Sequence, residues 1–574
     1  IPDNNNTTIV DWKKAPNSYI FIPNQENDGL YIPVKKAYAM WKNGIHMGGG
    51  AIPAGNITAD VYWEDVPGLI KSGVNYQLEV VGTGEEAKIK VPVNKAKEGN
   101  AVIALRGSDN QIYWSWHVWV TDDPTHGTQF KSFDGVTRQK NDGTIESIPD
   151  ADWGWMDRNL GALTGTITSD DWNKSGGLLY QWGRKDPQPP LAYKNDFYEV
   201  TGTVGRVRHQ GFIDNTNSTT WQKINTFTKY IKLSNAKVGD NIRFSVNNPL
   251  GVIYINKDES NTQAYYKLAG GSDNLNAPVN WFGTSSTLPA DRLSELNLWS
   301  DNAQGVTVVN YNDDAAAAPY RNKSSYDPCP NGWRIPSMLT ANLGEDVRLD
   351  FSPFGIKENI KINELDFLPN SPNSTTGTYL YKIRPNDSNV PDYFKGFKVY
   401  SNIGVDMSNV GGHNMGVFPG TGAMLRGYHE GQYTDQHHIA LWTSSMQKAN
   451  NTPVTGAASL SMIPDKDQSD ATELSGVTGR FWYNPITSAT TSDMAACRCI
   501  KDPLYIVNQY DFPTEFFNDE DDYAEGIYNP NSYNLTRSTT TIELNIPVSK
   551  AFSVQSKLLN NKEILNPTNF NNLK

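Results

Sequence analysis

Three cysteines in 574 residues are too few for a disulfide-dense scaffold. No apolar run approaches the ~20 residues needed to span a bilayer, and the start carries no basic n-region followed by an apolar stretch. Ile1 to Thr8 reads as a processed or trimmed terminus. Lys and Arg are never concentrated in a run, and the net charge of −12 argues against a nucleic-acid partner. Gly-X-Ser-X-Gly, His-Glu-X-X-His and Gly-X-X-X-X-Gly-Lys-Ser/Thr are all missing, so no motif marks a nucleophile, a catalytic zinc or a phosphate loop. The expectation is a protein without catalysis, cofactor or metal, and without a membrane span in this segment.

What the chain has is glycine (47), proline (33) and tryptophan (16), with 38% hydrophobic and 20% charged residues. Short aromatic strands between polar turns produce that composition. The length predicts two to four domains. Residues 1–125 read as a β-rich unit of the immunoglobulin-like sandwich kind, with runs at Ser18–Pro23 and Leu30–Val34. Ile57, Ala59, Val61 and Trp63 alternate onto one face, as do Trp114, Trp116, Val118 and Val120, while Ala101–Leu105 reads as buried on both faces. Short helices are expected at Pro289–Leu296 and after Pro336, with Ser337 as N-cap. The remainder of 193–320 reads as an insertion with little helical pattern.

Five motifs follow in order: Trp153-Gly154-Trp155-Met156-Asp157-Arg158-Asn159-Leu160-Gly161-Ala162, then Gly177 to Pro187 around Tyr180-Gln181-Trp182-Gly183, then Ser324-Ser325-Tyr326-Asp327-Pro328-Cys329-Pro330-Asn331-Gly332-Trp333, then Leu441-Trp442-Thr443, then Cys497-Arg498-Cys499. Together they resemble the Fibrobacter succinogenes major paralogous domain, found in surface lipoproteins and fimbria-associated proteins of Bacteroidota. The resemblance implies an enlarged α+β, C-type-lectin-like domain over residues 126–502. It also implies an extracellular, cell-surface address (outer membrane or fimbria) and a non-catalytic adhesin or filament-associated role. The expected partners are a host or microbial surface glycan or protein, or neighbouring filament subunits. It implies a Cys329–Cys499 bridge, with Cys497 placed to compete for Cys329. A spacer subunit is the alternative, and a secreted glycan-active or oxidising enzyme a more distant one.

The tripeptides of calcium-dependent sugar binding are missing, so no calcium site is expected. In lectin-like folds ligands dock in the long loop region, which corresponds here to Gly411–Tyr433, and its His413, Tyr428, His429 and Tyr433 are the candidate ligand-binding residues. Residues 503–540 read as a linker. Beyond it, Asn545 to Phe552 echoes Tyr31 to Tyr38, so 541–574 reads as the beginning of a second sandwich repeat, cut short.

Overall fold

The computed structural model describes residues 10–23, 26–71, 78–127, 154–166, 174–188, 238–249, 298–301, 322–336, 494–502 and 511–518, with short strand segments elsewhere between 137 and 483. Over these residues the protein is mainly β, with several sheets and few helices. The Pro289 and Ser337 helices and the 541–574 repeat lie outside the described residues.

The N-terminal elements are β1 (Ser18–Phe21), β2 (Gly29–Pro33), α1 (Lys35–Asn43), β3 (Thr58–Glu64), β4 (Glu79–Val81), β5 (Lys88–Pro92), β6 (Gly99–Arg106) and β7 (Ile112–Val120). One sheet carries the order β1-β7-β6-β3, with β1 parallel to β7 and the other pairs antiparallel. A second holds β2-β5-β4, all antiparallel. Ala101–Leu105 is buried throughout, as a run of apolar β-branched and small residues requires in a covered strand. In β3 the alternation breaks. The register slips between Val61 and Trp63, which turns Trp63 fully inward while Ala59 and Val61 stay half-buried.

Helix α1 has no counterpart in the sequence expectations. Its buried residues Lys36, Ala37, Met40 and Trp41 make one helical face, and Gly44 ends it by donating its N–H to Met40 O at 2.7 Å. Nine residues straight after a strand-like run leave too short a period to read.

In the motif region lie β8 (Leu179–Gln181), α2 (Val238–Asn247), β9 (Trp333–Arg334), β10 (His413–Phe418), β11 (Ile439–Lys448), β12 (Val454–Ile463), β13 (Met494–Ala496) and β14 (Ile500–Lys501). One sheet runs β8-β13-β11-β12, and β9 pairs with β14. Trp182 and Trp442 are packed inside, and each gives its N–H to a main-chain carbonyl: Trp182 to Thr443 O (2.8 Å) and Trp442 to Tyr180 O (2.6 Å). The helix α2 lies in the stretch read as having little helical pattern. Arg184 holds its C-terminal end, donating to Asn248 O at 3.1 Å and Pro249 O at 3.0 Å, as a cation at a helix C-terminus should.

Every residue of β7 is buried, because both of its faces are covered. Trp119 on one face donates to Ala162 O at 3.0 Å, and Ser115 to Asp186 Oδ1 at 2.5 Å. The first unit and the motif region therefore share one apolar core. The last described strand, β15 (Glu515–Phe517), falls within the stretch read as a linker and adds antiparallel to the open edge of β2. Phe517 packs on Tyr31 (ring centroids 5.1 Å) and Phe516 edge-on to Phe21 (6.0 Å), while Glu515 pairs with Lys88 at 2.7 Å. Gly29 makes room on both sides, since a Cβ there would stand 2.2 Å from Val91 O of β5 and 2.4 Å from the Phe517 ring.

Truncation of that anchor, Phe517→Ala, should cost ~3 kcal/mol in denaturant unfolding and speed exchange of the Asp28 amide, which donates to Phe517 O. An unchanged exchange rate at Asp28 would show that β15 does not hold the β2 edge.

Candidate functional site

Cys329 and Cys499 are joined by a disulfide across 170 residues of sequence, and both are fully buried. A loop of that length is worth about 5 kcal/mol through the unfolded state. Cys497 remains a free, fully buried thiol. Burial, with a smaller contribution from the Asp327 carboxylate, pushes its pKa well above the ordinary value, so it is chemically quiet.

The turn that carries Cys329 is organised by Asp327, which is wholly buried. Its carboxylate accepts the N–H of Cys329 at 2.8 Å and of Ile335 at 2.9 Å. Lys323 donates to Cys329 O (2.5 Å) and Pro330 O (2.8 Å). Burial raises the Asp327 pKa and lowers that of Lys323, each offset by the other's charge.

Side chains from the N-terminal unit complete the support. Asn17 donates through Nδ2 to Ser325 O and Asp327 O, both at 2.9 Å, and accepts from Trp114 Nε1 at 3.2 Å. Ser18 donates to Pro328 O at 2.5 Å. The Trp114 ring lies 4.5 Å from Lys185 Nζ and 5.8 Å from Lys36 Nζ. Lys185 pairs with Asp186 at 2.6 Å, yet burial still lowers its pKa to about 8. Beside them His117 shares a hydrogen bond with Asn100 Oδ1 at 2.9 Å. Because the Asn100 amide donates to Asp65 and Gly161 O, that oxygen must accept, so the proton of neutral His117 sits on Nε2. Burial takes the His117 pKa down to about 3 and the Asp65 pKa up to about 7.

Of the four candidate ligand residues, His413 is the first residue of β10, opposite Ser401. Tyr428, His429 and Tyr433 lie outside the described residues. The structure fixes the far end of β10. Arg498, between the two cysteines of the final motif, donates to Val417 O at 2.5 Å and lies over the rings of Phe418 (4.3 Å) and Trp155 (5.6 Å). The segment that opens the candidate loop is thus tied to the disulfide strand.

Asn17, Ser18, His117 and Lys36 were not singled out from sequence. Small polar residues beside a strand carry no motif, and the one available signal was the place of Lys36 in the echoed octet. Among the described residues, no group of three or more His, Cys, Asp or Glu could hold a metal ion. The buried polar network is chemically a holding device: its charged groups are paired or bonded to main chain and shut away from solvent.

Residues 348–499 match the model of one family, described as a domain of unknown function (DUF8290). No curated protein and no solved structure matches the chain. The match ends at Cys499, so it includes β10 to β13 and one cysteine of the bridge and leaves out the Cys329 turn.

Two outcomes are expected. Iodoacetamide should label no cysteine of the native protein, and only Cys497 after unfolding without reductant; a labelled Cys329 or Cys499 would contradict the pairing. Acidification should reveal His117. Its folded pKa of about 3 lies below the unfolded 6.5, so the unfolded chain takes up the extra proton and the His117 contribution to stability falls as pH drops through that window, against the opposite contribution of Asp65, whose folded pKa of about 7 lies above the unfolded 3.8. The His117 slope is up to about 1.4 kcal/mol per pH unit, and His117→Gln should remove it from the unfolding curves.

Proposed function

We propose that this protein is a non-catalytic, exported cell-surface component, an adhesin or a fimbria- or filament-associated protein that binds glycan or protein ligands. Its finer architecture in this reading is an N-terminal immunoglobulin-like sandwich, an enlarged C-type-lectin-like domain, and the start of a second sandwich. The observation that carries the reading is the Cys329–Cys499 disulfide set inside the shared tryptophan core, since a structural bridge of this kind is at home in an oxidising compartment. The anchoring of β10 by Arg498 supports the loop from Gly411 to Tyr433 as the ligand surface, because a rigid strand beneath a variable loop is how binding folds present contacts. That no helix among the described residues is long and apolar enough to cross a membrane is consistent with it.

A second reading, a structural spacer of a surface filament, is favoured by one observation: the β2 edge accepts an added strand, β15. The folded protein on a glycan array separates the two. The adhesin reading expects binding that drops at least tenfold in the His413→Ala and Tyr428→Ala variants. No binding, together with ordered filaments, would transfer the assignment to the spacer.

A further inference from the structure

The chain holds two Asn-Gly steps, Asn43-Gly44 and Asn331-Gly332. Such a step invites cyclisation, because no Cβ hinders the glycine nitrogen as it approaches the asparagine amide carbon. The fold treats the two steps differently. Asn43 is the last residue of α1, and the nitrogen that would attack, Gly44 N, is committed to Met40 O at 2.7 Å. Gly44 is buried, and its carbonyl accepts from Met47 N (3.1 Å) and Gly48 N (2.8 Å). Cyclisation there would have to break the end of the helix.

Asn331-Gly332 forms the corner of the turn between Cys329 and β9. Trp333 N closes that turn on Pro330 O at 3.0 Å, and Asp502 N donates to Gly332 O at 2.8 Å, so both flanks are held. Between them, Gly332 N donates to no group among the described residues. Gly332 adopts a φ of 77°, and a Cβ there would meet nothing within 4 Å, so the approach to its nitrogen is open. The Asn331 side chain is at the surface, where its Nδ2 donates to Asp511 Oδ1 at 3.2 Å. Asp511 begins the segment that runs through Phe512, packed on Trp12 at 5.2 Å between ring centroids, into β15. The amide of Asn331 is thus one anchor of the strand that completes the β2 edge.

We infer that Asn331 is a site of spontaneous deamidation, and that its conversion loosens β15 from the β2 edge. The Gly332 nitrogen gives up its proton and bonds to Asn331 Cγ. The Cγ–Nδ2 bond breaks, and Nδ2 takes that proton and leaves as ammonia. Water then opens the cyclic imide at either carbonyl, which leaves aspartate, or isoaspartate with the main chain routed through the former side chain. Both products set a carboxylate where a donor had faced Asp511. An attractive contact becomes a like-charge one. The segment from Asp511 to Phe517 loses its hold at the first residue, and the pairing of Asp28 N with Phe517 O opens more often. The cysteine turn itself keeps its bridge and its Asp327 contacts, which lie on the other side of Pro330.

The test ages the full chain in mildly alkaline buffer and follows both Asn-Gly steps by peptide mapping and mass spectrometry, with isoaspartate methylation as a second readout. Conversion at Asn331 is expected roughly tenfold faster than at Asn43, whose neighbour must first give up a hydrogen bond. In denaturant the two rates should converge, which assigns the difference to the fold. Native rates at Asn331 equal to or below those at Asn43 would overturn the site. The consequence is read from hydrogen exchange at the Asp28 amide. Asn331→Asp should speed it roughly threefold, within the range of a surface charge contact. Adding Asp511→Asn to that variant should restore the slow rate, which a merely disturbed turn would not do. An Asp28 rate unchanged in Asn331→Asp, or unrestored by Asp511→Asn, would overturn the link to β15.

Discussion

Buried cations that must find acceptors set the terms for this structure. Lys36, Lys185, Arg184, Arg334 and Arg498 are almost wholly withdrawn from water, where an unpaired charge would cost several kcal/mol. Each is answered by carbonyls, a carboxylate or an aromatic face: Lys36 by Lys13 O and Ala15 O, Lys185 by Asp186, Arg184 by the end of α2, Arg334 by Asp502, and Arg498 by Val417 O and two rings. Most of these partners are remote in sequence. Satisfying them brings the first unit, the motif turns and the bridging strand to one place.

The disulfide and the polar network divide the labour. The bridge restricts the unfolded chain, while Asp327, Asn17 and Ser18 specify how the turn sits once it is folded. A hydrophobic core alone would tolerate some rotation of that turn. Directional donors aimed at three named carbonyls would not. Cys497, quiet and buried next to the bridge, packs as a small apolar residue in this setting.

Much of the β-rich character was legible in the sequence, for definite reasons. Ala101–Leu105 is a run that only a covered strand can use, and the Trp114–Val120 alternation announced a strand with an apolar, aromatic face. What periodicity could not reveal was the cover on the second face of β7, which comes from residues 162 and 186. Helix α1 was hidden by its brevity, and α2 by a sequence whose end is held by the distant Arg184. At the site, the cysteines stood out because Cys is rare, and their pairing rested on a family resemblance. Asn17 and Ser18 were illegible because their meaning resides in carbonyls more than three hundred residues away.

The position of β15 has a consequence for how the chain matures. The β2 edge is completed by residues that emerge from the ribosome, or from a translocation pore, only after both cysteines of the bridge. Until then the sheet of β2, β5 and β4 presents unpaired N–H and C=O groups along Gly29–Tyr31, an open template for any extended segment nearby. Vectorial synthesis thus leaves the earliest-made sheet as the last to be sealed. The order in which this protein becomes safe from mispairing is set by its final described strand.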